Sequence, residues 1–241
     1  MKKFVIAAVA AAALNTVSAQ SCASSFSGFY AGLQAGLNAT VASSAKVETT
    51  EAGAAYRSIK GSRGSQSFIG GLFLGYGMGV GSCAYVGAEL YGNFTNDKAT
   101  LFDNSESNAG ERFFNTSSKN NANFGAKIRL GYTVSQQAMI FLGLGMEYAQ
   151  WQLKAENVVV AGQANLERVT KKNKRSLAFA PSVGMEMFMT KNLFVRGEYT
   201  YVATGSQKIE APYRVAAANH TATFKSNANQ HRFALGLGYK F

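Results

Sequence analysis

The last eleven residues of the chain carry the sequence feature that most limits its fold. From His231 to Phe241 the residue types alternate strictly. One parity is apolar and comprises Phe233, Leu235, Leu237, Tyr239 and Phe241, and the other is small or charged and comprises Arg232, Ala234, Gly236, Gly238 and Lys240. Because successive side chains of a strand point to opposite faces, this pattern predicts a strand with one wholly apolar face. Such a strand fits between lipid and a polar interior, or in a soluble β-sandwich.

The first 19 residues have the composition of a secretory signal peptide. Two lysines follow Met1, an apolar run covers residues 4–14, and small residues precede a predicted cleavage site after Ala19. The apolar run is well short of the roughly 20 residues that a spanning helix needs. Glycine or polar residues interrupt every later apolar stretch, so we expect no helical span. The exported chain is therefore either soluble or crosses a membrane as a closed sheet.

The alternation of the last strand recurs in seven earlier segments. These predicted strands cover residues 29–38, 68–80, 84–94, 124–134, 138–150, 177–189 and 193–201. Short turns follow the even-numbered strands, whereas long polar segments, predicted as loops, follow the odd-numbered ones at 38–67, 95–123, 151–175 and 203–230. Strands of about 10 residues with this asymmetry are typical of barrels that have periplasmic turns and extracellular loops. Pro181 interrupts the sixth strand, where we expect a bulge.

The predicted fold is all-β, a transmembrane antiparallel up-and-down β-barrel of about eight strands with four long extracellular loops and short periplasmic turns. The barrel domain covers residues 29–241, and a periplasmic N-terminal segment at 20–28 precedes it. Charged residues make up 15% of the chain, against about 25% in soluble domains. A mean hydropathy of -0.05 suits a barrel, because only every second strand residue faces lipid.

Aromatic residues on the apolar parity concentrate at both ends of the predicted strands. Rings at these two levels are typical of the interfaces of a membrane barrel. The outer set comprises Phe68, Phe94, Phe124, Tyr148, Phe179, Tyr199, Tyr201 and Phe233, and the inner set comprises Phe29, Tyr132, Tyr239 and Phe241. We predict two aromatic girdles from these positions.

The chain is strongly basic. Its formal net charge is +11, and loss of Lys2 and Lys3 with the signal peptide leaves +9. A basic exported protein suggests an anionic partner, such as outer-membrane lipid or a polyanionic surface. Nucleic acid is not expected as a partner, because export removes the protein from it and the chain has no RNA-binding or zinc-finger motif.

Nine charged residues have the parity that faces the barrel interior. They are Glu89, Glu147, Glu186 and Glu198 on the acidic side, and Lys127, Arg129, Arg196, Arg232 and Lys240 on the basic side. The lumen of a barrel of about eight strands is only wide enough for its own side chains. We therefore predict that these charges pair and fill it, with inward glycines making room for neighbouring side chains. The alternative is a water-filled slot along the glycines, which would make the protein a narrow channel.

The two cysteines fall on the same side of the predicted membrane. Cys22 precedes the first strand and Cys83 lies in the turn after the second, so both are periplasmic. That compartment is oxidising, and a disulfide between them would tie the N-terminal segment to the barrel. Two free thiols, or pairing with another chain, are the alternatives.

A basic run stands where the third long segment returns to the membrane surface. It comprises Lys171, Lys172, Lys174 and Arg175. Clustered cations at the level of lipid phosphates attract anionic head groups. We predict that this run contacts lipopolysaccharide, and a solvated charge run is the alternative.

The residues that catalysis would need are scarce. Two histidines, His220 and His231, and two distant cysteines supply no convergent metal ligands. A His-x-Ser pair starting at His231 would need a serine at the position of Phe233. Residues 75–79 are a glycine-lined strand face and not a phosphate loop. We therefore expect neither enzymatic activity nor a cofactor.

Two terminal motifs resemble a known family. Residues 26–36 read Phe-Ser-Gly-Phe-Tyr-Ala-Gly-Leu-Gln-Ala-Gly, and the chain ends in Gly-Tyr-Lys-Phe. With the strand pattern between them, these motifs resemble the opacity-type, porin-like family of small outer-membrane β-barrels of Gram-negative bacteria. Phe26-Ser27 stands where such proteins often carry Trp-Thr, which leaves the subfamily open.

The resemblance has implications for assembly and function. It implies an outer-membrane location and a C-terminal signal for the barrel-assembly machinery, formed by Phe233, Leu237, Tyr239 and Phe241. It also implies surface roles such as host contact, immune exposure or envelope integrity. The leading hypothesis is a structural and interaction protein whose loops meet a host or matrix ligand. The alternative is a narrow porin-like channel for small solutes.

Overall fold

The computed structural model describes residues 23–51, 54–103, 113–158, 169–215 and 218–241. A short 3₁₀ helix at Ala23–Phe26 precedes eight strands that close into one antiparallel barrel, each strand paired with its neighbours in sequence and β1 with β8. The strands are β1 (Gly28–Glu51), β2 (Ala54–Val80), β3 (Ala84–Asp103), β4 (Phe113–Thr133), β5 (Ala138–Val158), β6 (Val169–Phe188), β7 (Leu193–Val215) and β8 (Ala218–Lys240). The predicted fold is confirmed. Within the described ranges, no helix has the length and hydropathy needed to cross a membrane.

Side chains alternate between the two faces of the barrel as predicted. On β1, Phe29 is 65% exposed whereas its neighbour Tyr30 is 4% exposed. The outward face is apolar from end to end on the central part of every strand, and the predicted girdle residues lie on it, with Tyr201 half-buried. An apolar surface of this extent on the outside and polar groups on the inside suit a protein whose solvent is lipid.

Three short turns join β2 to β3, β4 to β5 and β6 to β7. Gly81 adopts a left-handed φ of 66° in the first turn, a conformation that costs glycine little. In the other two, Ser135 Oγ accepts the backbone N–H of Ala138 (3.0 Å) and Thr190 Oγ1 accepts that of Leu193 (3.0 Å). The predicted short turns are confirmed, and in an outer-membrane barrel such turns face the periplasm.

The four segments predicted as long loops are mostly strand. β1 and β2 remain paired out to Glu51 and Ala54, and the other three hairpins extend in the same way. Outside the membrane neither face of a strand contacts lipid. The apolar alternation therefore stops there, whereas backbone pairing continues. The register shifts recorded between strands all lie in these outer parts. The sequence pattern therefore predicted the membrane-embedded half of each strand, but not how far the strand continues outside the membrane.

Pro181 does not produce the predicted bulge. Its pairing with Leu144 of β5 keeps the register, and the ladder with β7 has the same register on both sides of the proline. What changes is that residues 180 and 181 make no pair with β7, because proline has no N–H to donate on that side. The sixth strand is thus interrupted on one edge only.

The barrel divides above the membrane. The β2–β3 ladder ends at Ile69 and Thr95, and the β6–β7 ladder ends at Phe179 and Ala203. The remaining six ladders continue outward among the described residues. The outer parts therefore form two four-stranded sheets, a first outer sheet of β7, β8, β1 and β2 and a second outer sheet of β3, β4, β5 and β6. Two clefts separate these sheets.

Candidate functional site

Glu89 is at the centre of a charged cluster in the lumen. This fully buried carboxylate lies 3.0 Å from Lys127 Nζ, 2.8 Å from Arg196 Nη1 and 3.4 Å from Arg129 Nη1. Tyr30 donates its hydroxyl to the same carboxylate at 2.9 Å. Residues from three strands, β1, β4 and β7, thus converge on this acid of β3, because each occupies an inward position at the same level of the barrel.

Two further acids complete this inner cluster. Glu186 Oε1 accepts Arg196 Nε at 2.7 Å and lies 2.8 Å from Arg129 Nη2. Glu198 contacts Lys127 and lies 3.8 Å from Arg196 Nη1. The three acids and three bases are all buried. Their formal charges cancel, and the attraction between the paired ions offsets part of the cost of taking each of them out of water.

An outer cluster is centred on Arg232 and Glu147. Arg232 donates Nη1 and Nη2 to the two carboxylate oxygens of Glu147 at 2.5 and 2.8 Å. This two-point geometry is the strongest form of the arginine–carboxylate contact. Gln230 Oε1 accepts from Arg232 at 2.5 Å, and Tyr91 donates to Glu147 at 3.4 Å. The outer cluster is also formally neutral.

Lys240 does not belong to either cluster, contrary to the sequence-based prediction. Its Nζ donates to the Ser25 carbonyl at 2.7 Å and lies 5.7 Å from the centre of the Phe188 ring. The parity of Lys240 was right, but it lies at the periplasmic end of β8, beyond the level of the carboxylates. The lysine instead holds the N-terminal segment against the barrel.

Aromatic rings fill the space between the charges. The guanidinium carbon of Arg129 lies 3.9 Å from the centre of the Phe141 ring, and that of Arg196 lies 4.0 Å from the Phe73 ring. Guanidinium groups stack well on rings because they are planar and weakly hydrated. The cations are therefore held by flat apolar surfaces as well as by carboxylates.

The inward glycines receive these rings, as predicted. A Cβ added at such a glycine would overlap a neighbouring ring, which is the close approach that favours glycine in a strand. The pairs of ring and glycine are Tyr30 and Gly75, Tyr85 and Gly77, Tyr91 and Gly125, Phe141 and Gly184, and Phe194 and Gly238. Four of these pairs are direct cross-strand partners.

A small cavity separates the two clusters. Its volume is about 20 Å³, room for a single water molecule. Lys127 and Glu198 line it from the inner cluster and Arg232 from the outer one. Oε2 of Glu198, a lining residue, is buried without a protein hydrogen bond. One water molecule here would have several polar partners.

Other predicted site residues lie elsewhere. Cys83 lies half-buried in the first periplasmic turn. Cys22 lies outside the described residues, so their disulfide stays a prediction. The backbone of the basic run 171–175 lies in β6 and not in a loop, and its side chains are outside the described part. His231 accepts or donates through Nδ1 to the Tyr199 hydroxyl at 2.7 Å on the outer surface. Of the assembly-signal residues, Phe233, Leu237, Tyr239 and Phe241 all face outward.

Uncharged partners of the charges were not predicted as site residues. Tyr30 accepts Arg129 Nη1 at 3.0 Å while donating to Glu89, and Asn38 Oδ1 accepts Arg232 Nε at 3.4 Å. Both residues have inward parity, which was the only sequence signal for them. Among the described residues, no three His, Cys, Asp or Glu side chains are arranged to hold a metal ion.

A closed barrel with an apolar belt and a charged interior defines a small bacterial outer-membrane β-barrel. The chain matches the family model for the outer membrane protein beta-barrel domain over residues 7–241. It therefore belongs to this family, whose members lie in the bacterial outer membrane. Comparison with curated protein sequences gives no match.

Several solved barrels are similar in fold. Ail, the attachment invasion locus protein of Yersinia pestis, is 12% identical over 89% of this chain and 99% of its own, with a TM-score of 0.41. OprG of Pseudomonas aeruginosa is 15% identical over 89% and 96%, with a TM-score of 0.47. The protease OmpT of Escherichia coli is 10% identical over 95% and 100%, with a TM-score of 0.49. Identities this low do not carry a function from one barrel to another.

Proposed function

We propose that this protein is a non-conducting outer-membrane anchor that holds two β-sheets at the cell surface for contact with other molecules. The observation that carries this proposal is the lumen, where four acids and four bases are paired across the barrel. Rings seated on the inward glycines support our inference that these side chains close the lumen to ions. The alternative, a narrow channel, needs the water-filled slot whose space the rings occupy.

The length of the strands supports the surface role. A membrane-spanning strand needs about 9–11 residues, whereas the strands here run from 20 residues in β3 and β6 to 27 in β2. About half of each strand therefore stands outside the hydrocarbon. Long ordered hairpins offer a larger and more rigid contact surface than flexible loops. A host or matrix ligand is the partner class that we propose for them.

Planar-bilayer recording of the purified, folded protein tests the proposal. We expect no stable channels at neutral pH. The matched positive control is the variant Glu89→Ala, Lys127→Ala, Arg129→Ala and Glu198→Ala, which removes two acids and two bases and so keeps the lumen neutral. This variant should give small channels. Stable channels from the unaltered protein would favour the narrow porin-like alternative.

The absence of catalysis is also part of the proposal. His231 is bonded to Tyr199 on the lipid-facing side, and the buried carboxylates are engaged by arginine and lysine. Neither arrangement presents a free acid–base pair to a substrate. Hydrolysis of peptide or ester substrates by purified protein, lost on His231→Gln, would contradict this part.

The remaining sequence-based proposals concern export and anchoring. Cleavage after Ala19 and the Cys22–Cys83 disulfide are both checked by mass spectrometry of the mature protein, where alkylation of both thiols without reductant would exclude the disulfide. Deleting Phe241 tests the signal for the barrel-assembly machinery, since normal membrane insertion would argue against it. Replacing Lys171, Lys172, Lys174 and Arg175 with Gln tests lipopolysaccharide contact, which unchanged affinity at low salt would exclude.

A further inference from the structure

The first residue of β1 is a glycine in an unusual conformation. Gly28 has a φ of 128°, which glycine adopts readily and other residues rarely do. A Cβ at this position would also lie 3.3 Å from the carbonyl oxygen of Phe241. This glycine allows the chain to change direction between the 3₁₀ helix at Ala23–Phe26 and the strand.

Phe26 lies across the periplasmic mouth of the barrel. Its side chain is 4% exposed, and it packs in one cluster with Tyr85 of β3 and with Met139 and Phe141 of β5. The centre of the Phe188 ring of β6 lies 4.9 Å from the centre of the Phe26 ring. The neighbours of β1 in the barrel are β2 and β8, and β5 is the strand opposite to it. Phe26 thus precedes β1 in sequence but contacts the far wall, so the chain between them crosses the opening.

Two hydrogen bonds hold this segment at the near wall. Ser27 Oγ accepts the backbone N–H of Gly79 on β2 at 2.9 Å. On the other side of β1, Lys240 Nζ of β8 donates to the Ser25 carbonyl at 2.7 Å. The residues before and after Phe26 are therefore bonded to the two strands that flank β1. These bonds position the ring in addition to its apolar contacts.

The rings around Phe26 also contact the inner cluster. Tyr85 and Phe141, which share the apolar cluster with Phe26, lie against the guanidinium group of Arg129. The guanidinium carbon is 5.6 Å from the centre of the Tyr85 ring and 3.9 Å from that of the Phe141 ring. One layer of rings thus separates Phe26 from a buried charge. Water entering from the periplasm would compete for the ion pairs of that charge, because water solvates ions better than a protein interior does.

We propose that Phe26 is a stopper that closes the periplasmic mouth of the lumen and keeps water away from the inner cluster. A segment that only led into β1 would need neither a ring buried against the opposite wall nor hydrogen bonds to both flanking strands. The alternative is that Phe26 only anchors the segment, in which case its removal would lower stability without admitting solutes. This inference adds a second closing element to the proposed non-conducting anchor and rests on that function.

Labelling of a buried thiol tests the stopper without any current measurement. Met139, which is fully buried in the cluster with Phe26, is replaced by Cys in a background where Cys22 and Cys83 are Ser. Iodoacetamide is added to the folded protein in detergent micelles, and mass spectrometry measures the labelling rate. We expect slow labelling with Phe26 present and labelling about tenfold faster or more with Phe26→Ala, because the thiol becomes accessible. Equal rates would mean that Phe26 excludes no solute and would overturn the proposal.

Phe29→Ala is the matched control for this experiment. Phe29 is close to Phe26 in sequence but faces lipid and is 65% exposed, so its removal should leave the labelling rate unchanged. Phe26→Leu keeps an apolar side chain at the mouth and should keep labelling slow. Circular dichroism checks that each variant is folded. Labelling that is equally fast in the Phe29→Ala variant would show general loosening of the barrel, contrary to the proposal.

Conductance gives a second test in a barrel that lacks the inner cluster. The starting point is the neutral quadruple alanine variant described above, for which we expect small channels. Adding Phe26→Ala should raise the single-channel conductance about twofold or more, because the ring no longer narrows the mouth, and adding Phe29→Ala should not. Equal conductance of the two quintuple variants would overturn the stopper. Channels from the unaltered protein would instead contradict the non-conducting anchor, and the labelling rate would still decide the role of Phe26, so the two failures are distinct.

Discussion

The membrane-embedded half of the barrel and the half outside the membrane follow opposite rules. Inside the membrane the eight strands close into one barrel, and four acids pair with four bases in its lumen. Outside, the β2–β3 and β6–β7 ladders end while the strands continue among the described residues. In hydrocarbon an unpaired backbone group costs several kcal/mol, about 2–7 by transfer measurements. Water satisfies such groups outside, so the same chain can leave edges open there.

This contrast shows in which part of the barrel the strand register can vary. Register shifts occur only toward the outer parts of the strands, where a slip does not move apolar side chains from lipid into the lumen. In the lumen, in contrast, one side chain such as Arg129 contacts Glu89 on β3 and Glu186 on β6 at the same time. Changes in the lumen should therefore affect stability strongly, and changes in the outer sheets should affect binding.

Glu147→Gln should have the largest effect. Arg232 bonds both oxygens of Glu147, and both side chains are buried. The substitution leaves a buried cation without its counter-ion, which costs about 3–5 kcal/mol. Thermal unfolding in detergent, followed by circular dichroism, measures the loss. The double variant with Arg232→Gln restores neutrality and should recover part of it, and a Glu147→Gln variant as stable as the parent would contradict the outer cluster.

Glu198→Gln should destabilise the barrel less. Lys127 loses its contact with Glu198 but keeps Glu89 at 3.0 Å, so the cation still has a buried counter-ion. We expect a loss of about 1–3 kcal/mol and no channel activity, because the side-chain volume is unchanged. The same unfolding experiment ranks it against Glu147→Gln. The reverse order would mean that Glu89 does not compensate Lys127.

Substitutions at two adjacent glycines on β2 allow the lumen face and the lipid face of one strand to be compared. A Cβ at Gly71, on the lumen side, would meet Asn93 Oδ1 and lie 2.5 Å from the Gly92 carbonyl oxygen. A Cβ at Gly70, on the lipid side, would meet nothing within 4 Å. Gly71→Ala should therefore cost about 1–3 kcal/mol through overpacking, and Gly70→Ala should leave the melting temperature nearly unchanged. Equal melting temperatures would show that the lumen has spare room at this level.

The sequence predicted the membrane-embedded region well because lipid imposes a strict two-residue period. Leu235 and Gly236 could be placed on opposite faces from residue type alone, and the same rule placed Glu89 and Arg129 in the lumen. It could not say which charges meet, since that depends on the stagger between strands. Lys240 shows this limit, because parity gives the face and not the depth.

Outside the membrane the sequence signal was weaker for a physical reason. Residues such as Thr49 and Thr221 are paired strand residues, yet the sequence around them shows no alternation of large apolar and polar residues that would mark one face. Pairing there is carried by backbone hydrogen bonds, which any residue except proline supplies. The two prolines, Pro181 on β6 and Pro212 on β7, were accordingly the local sequence signal for the open cleft between these strands. The bulge expected at Pro181 was wrong, because this proline interrupts pairing with β7 without adding an extra residue to the strand.

Shortening one outer hairpin should have the smallest effect on the barrel. Ala99 and Ser118 are partners in the β3–β4 hairpin, so residues 99–118 can be replaced by Asn-Gly, the two-residue turn that suits a hairpin. The removed parts begin well beyond Glu89 on β3 and end well before Lys127 on β4, so the membrane-embedded ladders remain complete. The variant should therefore insert, stay closed in planar bilayers and melt within the range set by the Gly70→Ala control. A drop as large as that of Gly71→Ala would show that the outer sheets hold the barrel together, and the division between a stabilising lumen and a binding surface would fail.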